Sequence, residues 1–176
     1  MARVRVVLFD TGIVFRLHEF GLWRQVIDAY EVSVPATVVA EAEYYLRDGE
    51  KVYIDLGQEV AAGRLTIVEV PASEVIAFRS GIRPLYGERL DPGEAEMLAF
   101  AMQRGCVHRV CSADAIVFKA MGCLGEWERC VSLEKLLAEA GMGGKKLARE
   151  CTQQWVESQI DEGKRDASYG VARNKS

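Results

Sequence analysis

The spacing of apolar positions changes several times along the chain, and each change marks a predicted element. Residues 3–9, RVRVVLF, are rich in β-branched side chains and partly alternate, which predicts a strand. In HEFGLWRQVIDAYE, Phe20, Trp23, Val26, Ile27 and Tyr30 fall at helical spacing, and VSVP restores a short strand. PATVVAEAEYYLRDG predicts a helix with Pro35 in its first turn and Gly49 at its end. KVYIDLGQEVAAG predicts a further helix, and RLTIVEVP a strand closed by Pro71. ASEVIAFRSG is a short helical segment, IRPLYGERLD a link, and PGEAEMLAFAMQRG a helix with Met97, Leu98, Ala101 and Met102 on one stripe. CVHRVCS then predicts a strand and ADAIVFKAMG a helix ending at Gly122. VSLEKLLAEAG is a helix capped by Ser132, with Lys135 standing where a capping-box acid would be.

Strands and helices alternate, which predicts an α/β fold: a mainly parallel central sheet flanked by helices on both faces. After AGMGG the pattern changes. KKLARECTQQWVESQID is amphipathic, and EGKRDASYGVARNKS is polar without a period, so a helix followed by a disordered tail is expected. The chain thus divides into a domain over residues 1–141 and an appendage over 142–176.

At 176 residues, 49% of them hydrophobic, the chain is long enough to bury one well-formed core. Its apolar runs are too short to span a membrane, and the N-terminus enters a strand pattern directly rather than a signal peptide, so a cytoplasmic protein is expected. A net charge of −4 gives no general attraction to polyanions, so a nucleic acid would have to be held by local cations or metal ions. From Lys145 onward seven basic residues meet five acidic ones, which makes the appendage slightly positive. Arg16, Arg47, Arg83, Arg89 and Arg109 are the scattered cations that could track phosphates. The five cysteines form no C-x-x-C pair and the only histidines are His18 and His108, which argues against structural zinc and against a histidine-based triad. Carboxylates are the plentiful chemistry that remains.

Four of them stand at element ends or on helix faces. Asp10 ends the first strand in VVLFDTGIVF, Glu41 lies in VVAEAEYY, Glu94 opens GEAEMLAFA with Glu96 two positions on, and Asp114 follows the strand CVHRVC. At the carboxyl ends of parallel strands, Asp10 and Asp114 would face one crevice, and the flanking helices would add Glu41 and Glu94. Such a set repels itself unless a cation joins it, and hard divalent ions take oxygen ligands of this kind. Other chemistries also begin with an acid after a strand. An aspartic protease needs a nearly all-β fold and a second Asp-Thr-Gly, and a haloacid dehalogenase-like phosphatase needs a second Asp where Gly12 stands.

Taken in order, FDTGI, VPATVVAEA, LDPGEAEMLAFAMQRG and VCSADAIVFKAMG resemble the four motif segments of the PIN-domain nucleases, across residues 4–141. That resemblance implies an endoribonuclease acting on single-stranded RNA with Mg²⁺ or Mn²⁺. It makes Asp10, Glu41, Glu94 and Asp114 metal ligands, supported by Thr11 and Ser112, with Glu96 as an alternative to Glu94 and either one or two metals bound. It further implies a homodimer and, for toxins of toxin–antitoxin pairs, a small antitoxin partner. Gly12 stands where the family often has Ser or Asn, and the appendage lies outside the resemblance. A PIN-like module that binds RNA or protein with little catalysis is the alternative of a different class.

Overall fold

Residue alternation in the first strand explains the layering. A computed structural model describes residues 6–168. Within β1 (Val6–Phe9), Val7 and Phe9 enter one apolar cluster and Leu8 enters another, because successive side chains of a strand point to opposite faces. A strand covered on both faces must be apolar throughout, which is why VVLF shows no polar position. Its neighbours are β2 (Glu31–Pro35), β5 (Leu65–Val68) and β6 (Arg109–Cys111), in the order β5-β2-β1-β6, with every pairing parallel.

One face of this sheet carries α1 (Thr11–Glu19), α2 (Trp23–Ala29) and α9 (Leu133–Glu139). The other carries α6 (Pro84–Gly87), α7 (Pro92–Ala101) and α8 (Ala115–Leu124). To the first face α3 (Ala36–Glu41) and α4 (Leu56–Ala61) add Val38 and Leu56, and α5 (Ala72–Gly81) sets Val75 and Phe78 against the second. The sheet is therefore parallel and flanked by helices on both faces, as the alternation of patterns predicts. No helix among the described residues is long and apolar enough to cross a membrane.

Several stretches differ from their sequence reading: the link over residues 82–91 carries α6, and the helices expected from Lys51 and from Lys145 begin only at Leu56 and Gln153. The helix expected from Pro35 to Gly49 ends at Glu41, and an antiparallel hairpin follows, β3 (Tyr44–Arg47) and β4 (Glu50–Tyr53). Asp48 and Gly49 sit at φ 52° and 84°, so the Gly read as a helix stop closes a two-residue hairpin turn of the mirror-image type that matches strand twist. The single helix expected over residues 18–31 is two helices, broken at Gly21 (φ 66°), and the first begins immediately after Asp10. At the C-terminus, α10 (Gln153–Ser168) runs seven residues into the stretch read as a disordered tail. It packs on α8 through Phe118, Val156 and Ile160, and two glycines permit the close approach: a Cβ on Gly122 would lie 2.4 Å from the Ile160 carbonyl oxygen, and one on Gly163 would lie 2.0 Å from that of Lys119. The expectations for residues 3–5 and 169–176 fall outside the described residues.

Candidate functional site

The sheet order places a topological switch at β1 and β6. The chain moves from β1 to β2 and β5 on one side and returns to β6 on the other, which opens a crevice at the carboxyl ends of these two strands. Asp10 and Asp114 flank it.

Asp10 follows β1 and caps α1, its Oδ1 accepting from the Ile13 N–H at 2.8 Å. Its Oδ2 accepts from the Ser112 hydroxyl and from the Ala113 N–H at 3.2 Å, tying the end of β1 to the chain that leaves β6. Burial pushes the Asp10 carboxyl up to about 6 against the pull of these three donors, and the charge of Asp114 adds to the rise. Asp114 caps α8 through Oδ1 and the Ile116 N–H (2.9 Å), and its own N–H donates to Ser112 Oγ at 2.9 Å. The buried Ser112 hydroxyl thus donates to one acid and accepts from the backbone of the other, fixing their separation.

Glu94 comes from the opposite wall. The segment Asp91-Pro92-Gly93-Glu94 closes a capping box at the start of α7: the Glu94 N–H donates to Asp91 Oδ1 at 2.7 Å, and the Asp91 N–H donates to Glu94 Oε2 at 3.0 Å. Burial pushes the Glu94 carboxyl up to about 8; the Asp91 N–H opposes this, and Asp91, Asp114 and Asp10 add repulsion. Glu41 closes α3, where its Oε2 accepts from the Thr11 hydroxyl at 2.8 Å. The same oxygen would lie 3.5 Å from a Cβ on Gly93, which brings Glu41 to the Asp91–Glu94 wall.

These groups surround a pocket of about 220 Å³ whose polar lining, among the described residues, is Asp10, Thr11, Asp91, Glu94 and Asp114, with no Lys, Arg or His. Such a donor set fits a hard divalent cation in chemistry, being all oxygen and mutually repelling. In spacing it is open. Among the described residues, no group of three or more His, Cys, Asp or Glu side chains is gathered closely enough to hold a metal ion. Each carboxylate is drawn back onto the protein by a donor: Asp10 by Ser112, Asp114 by Ile116, Glu94 by Asp91 and Glu41 by Thr11.

The structure therefore brings Asp10, Thr11, Glu41, Glu94, Ser112 and Asp114 together. It does not bring Glu96 with them. Glu96 accepts from the Thr37 N–H (3.1 Å), the Thr37 hydroxyl (2.5 Å) and the Val70 N–H (3.4 Å), and lines a separate cavity beside α5. Its role here is to tie α7 to α3 and to the end of β5. Asp91 is the acid of the pocket that the sequence reading passed over as part of a link; D-P-G-E, an N-cap followed by a glutamate three positions on, carries its signal. No protein-family model matches the chain, and no curated protein matches it.

Proposed function

We propose that the chain is a divalent-metal-dependent endoribonuclease that hydrolyses phosphodiester bonds of single-stranded RNA, with Mg²⁺ or Mn²⁺ held in the acidic pocket. One observation carries the reading: acids from four separate elements line or adjoin one pocket at the switch point of a parallel sheet, with no basic side chain in its lining among the described residues. A phosphate can enter such a pocket only with a cation. Asp10, Glu41, Glu94 and Asp114 would hold it, and the homodimer, toxin role and antitoxin partner follow from the PIN resemblance alone.

When bound, the cation would supply charge stabilisation at the phosphoryl oxygens and a source of hydroxide at neutral pH. The chain's own residues do the rest. Ser112 keeps Asp10 and Asp114 at a set distance, the Asp91 N–H holds Glu94, and Thr11 holds Glu41, so that each carboxylate is kept at the rim of the pocket, from which an arriving cation would have to draw it. Glu94, pushed up to about 8 without a cation, would give up its proton to make room for positive charge, so metal loading would release protons near neutral pH.

The test is cleavage of a pool of structured and unstructured RNAs with Mn²⁺, Mg²⁺ or EDTA. Metal-dependent cutting is expected, and Asp10→Asn and Asp114→Asn should each lower it by about a hundredfold or more while the protein still melts cooperatively. The open spacing of the acids favours one second reading, a weakly catalytic RNA- or protein-binding module. A folded protein that binds RNA and cuts it under no metal would establish that one instead.

A further inference from the structure

The β3–β4 hairpin stands outside the main sheet, and its two faces differ. Opposite residues of an antiparallel pair share a face, so Tyr45, Val52, Arg47 and Glu50 form one side and Tyr44, Tyr53, Leu46 and Lys51 the other. The first side is rooted in the protein. Tyr45 is buried against His18, whose ring stacks on Trp23 at 4.8 Å. The second side faces outward, with Tyr53 75% and Leu46 60% exposed, among the most exposed large apolar side chains described. The Tyr44 and Tyr53 rings meet edge-on at 6.1 Å, and Lys51 Nζ lies 4.1 Å from the centre of the Tyr44 ring.

An exposed apolar strand face is a liability unless it has a partner. Its chemistry here is two aromatic rings and one cation, with no carboxylate among the strand residues that point that way. Aromatic rings that stack on bases beside a cation that meets phosphate are the elements of a single-strand platform. A purely apolar protein surface would leave Lys51 buried without a counter-charge. A second copy docking the same face across a two-fold axis would bring two lysines into one interface. Position also favours a nucleic acid. Tyr44 follows Glu41 by three residues, so their Cα atoms are at most about 11 Å apart.

We propose that the outer face of the hairpin, formed by Tyr44, Leu46, Lys51 and Tyr53, is the surface on which single-stranded RNA stacks as it enters the acidic pocket. The inference takes its substrate class from the reading of that pocket as a nuclease centre. Binding is measured by fluorescence anisotropy of a labelled oligouridylate of about a dozen nucleotides, in EDTA so that nothing is cut. Tyr44→Ala and Tyr53→Ala should each weaken binding about tenfold, Tyr53→Phe should bind as the parent does, and Lys51→Glu should weaken it further. Tyr53 and Lys51 are exposed, so folding is not at stake in their variants, and a thermal melt shows whether Tyr44→Ala, at a half-buried position, folds as the parent does. Parent protein that fails to bind the oligonucleotide overturns the proposal. So does unchanged affinity in both tyrosine variants, whether or not sedimentation shows that the changes break a dimer. Metal-dependent cutting by those same variants at the parent KM would sink the hairpin and spare the nuclease. Affinity lost in the tyrosine variants of a protein that cuts under no metal would do the reverse.

Discussion

Asp10 and Glu94 are carboxyls whose pKa values rise on folding, to about 6 and about 8, and the consequence for stability has a definite sign. Without a cation the folded protein keeps protons at these positions that the unfolded chain releases near its ordinary carboxyl pKa. Their contribution is therefore whole below about pH 4 and is lost as pH rises through 6 and then 8. For Asp10 the rise of roughly two units corresponds to about 3 kcal/mol. In EDTA the melting temperature should fall between pH 5 and pH 8, by on the order of 5–10 °C for a chain of this size. Asp10→Asn should flatten that slope, and Mn²⁺ should restore the melt at pH 8 more than at pH 5. A melting temperature indifferent to pH in EDTA would mean that these acids are not buried as described. The residues themselves were legible in the sequence because Asp10 and Asp114 end strands and Glu41 and Glu94 sit on the helices nearby. The choice between Glu94 and Glu96 was not: two positions turn a helix by about 200°, so the two side chains face opposite ways, and the packing of α7 decides which meets the pocket.

At the scale of elements, the parallel strands could be read because each is short, apolar and followed by a helical period. The hairpin could not, because Tyr44, Tyr45 and Leu46 continue the apolar count of the preceding helix and Gly49 serves equally as a helix stop and a turn residue. The docking of α10 was illegible for another reason: what lets it lie so close to α8 is the absence of two side chains, and glycines at 122 and 163 look like breaks in a helix rather than a contact. That contact has a measurable cost if filled. Gly163→Ala places a methyl 2.0 Å from the Lys119 carbonyl oxygen, so one helix backbone has to move. The substitution should gain about 1 kcal/mol of helix propensity and still destabilise the protein by a net 1–3 kcal/mol, as roughly expected for overpacking. Urea unfolding reads this directly, and a midpoint unchanged or raised would show that α10 does not lie against α8 in this way.

For the whole molecule, charge limits how RNA can be held. The chain carries a net −4, and several of its described arginines are paired with its own acids. Arg16 meets Glu150 at 2.8 Å, Arg64 meets Glu59 at 2.6 Å, Arg109 meets Glu139 at 2.8 Å and Arg83 meets Asp166 at 3.7 Å. A protein of this balance has no broad cationic field with which to gather phosphates, so affinity must come from stacking, from a few cations such as Lys51 and from metal in the pocket. Each phosphate neutralised on a single strand contributes about −0.7 to the slope of log affinity against log salt. With one or two such contacts, oligouridylate binding in EDTA should show a slope between about −0.7 and −1.5, and Lys51→Ala should reduce its magnitude by about 0.7. Titration of the anisotropy signal with KCl measures both. A slope of several units, or one that Lys51→Ala leaves unchanged, would mean that the phosphates are read by a basic surface elsewhere, and the division of labour between hairpin and metal pocket would fail with it.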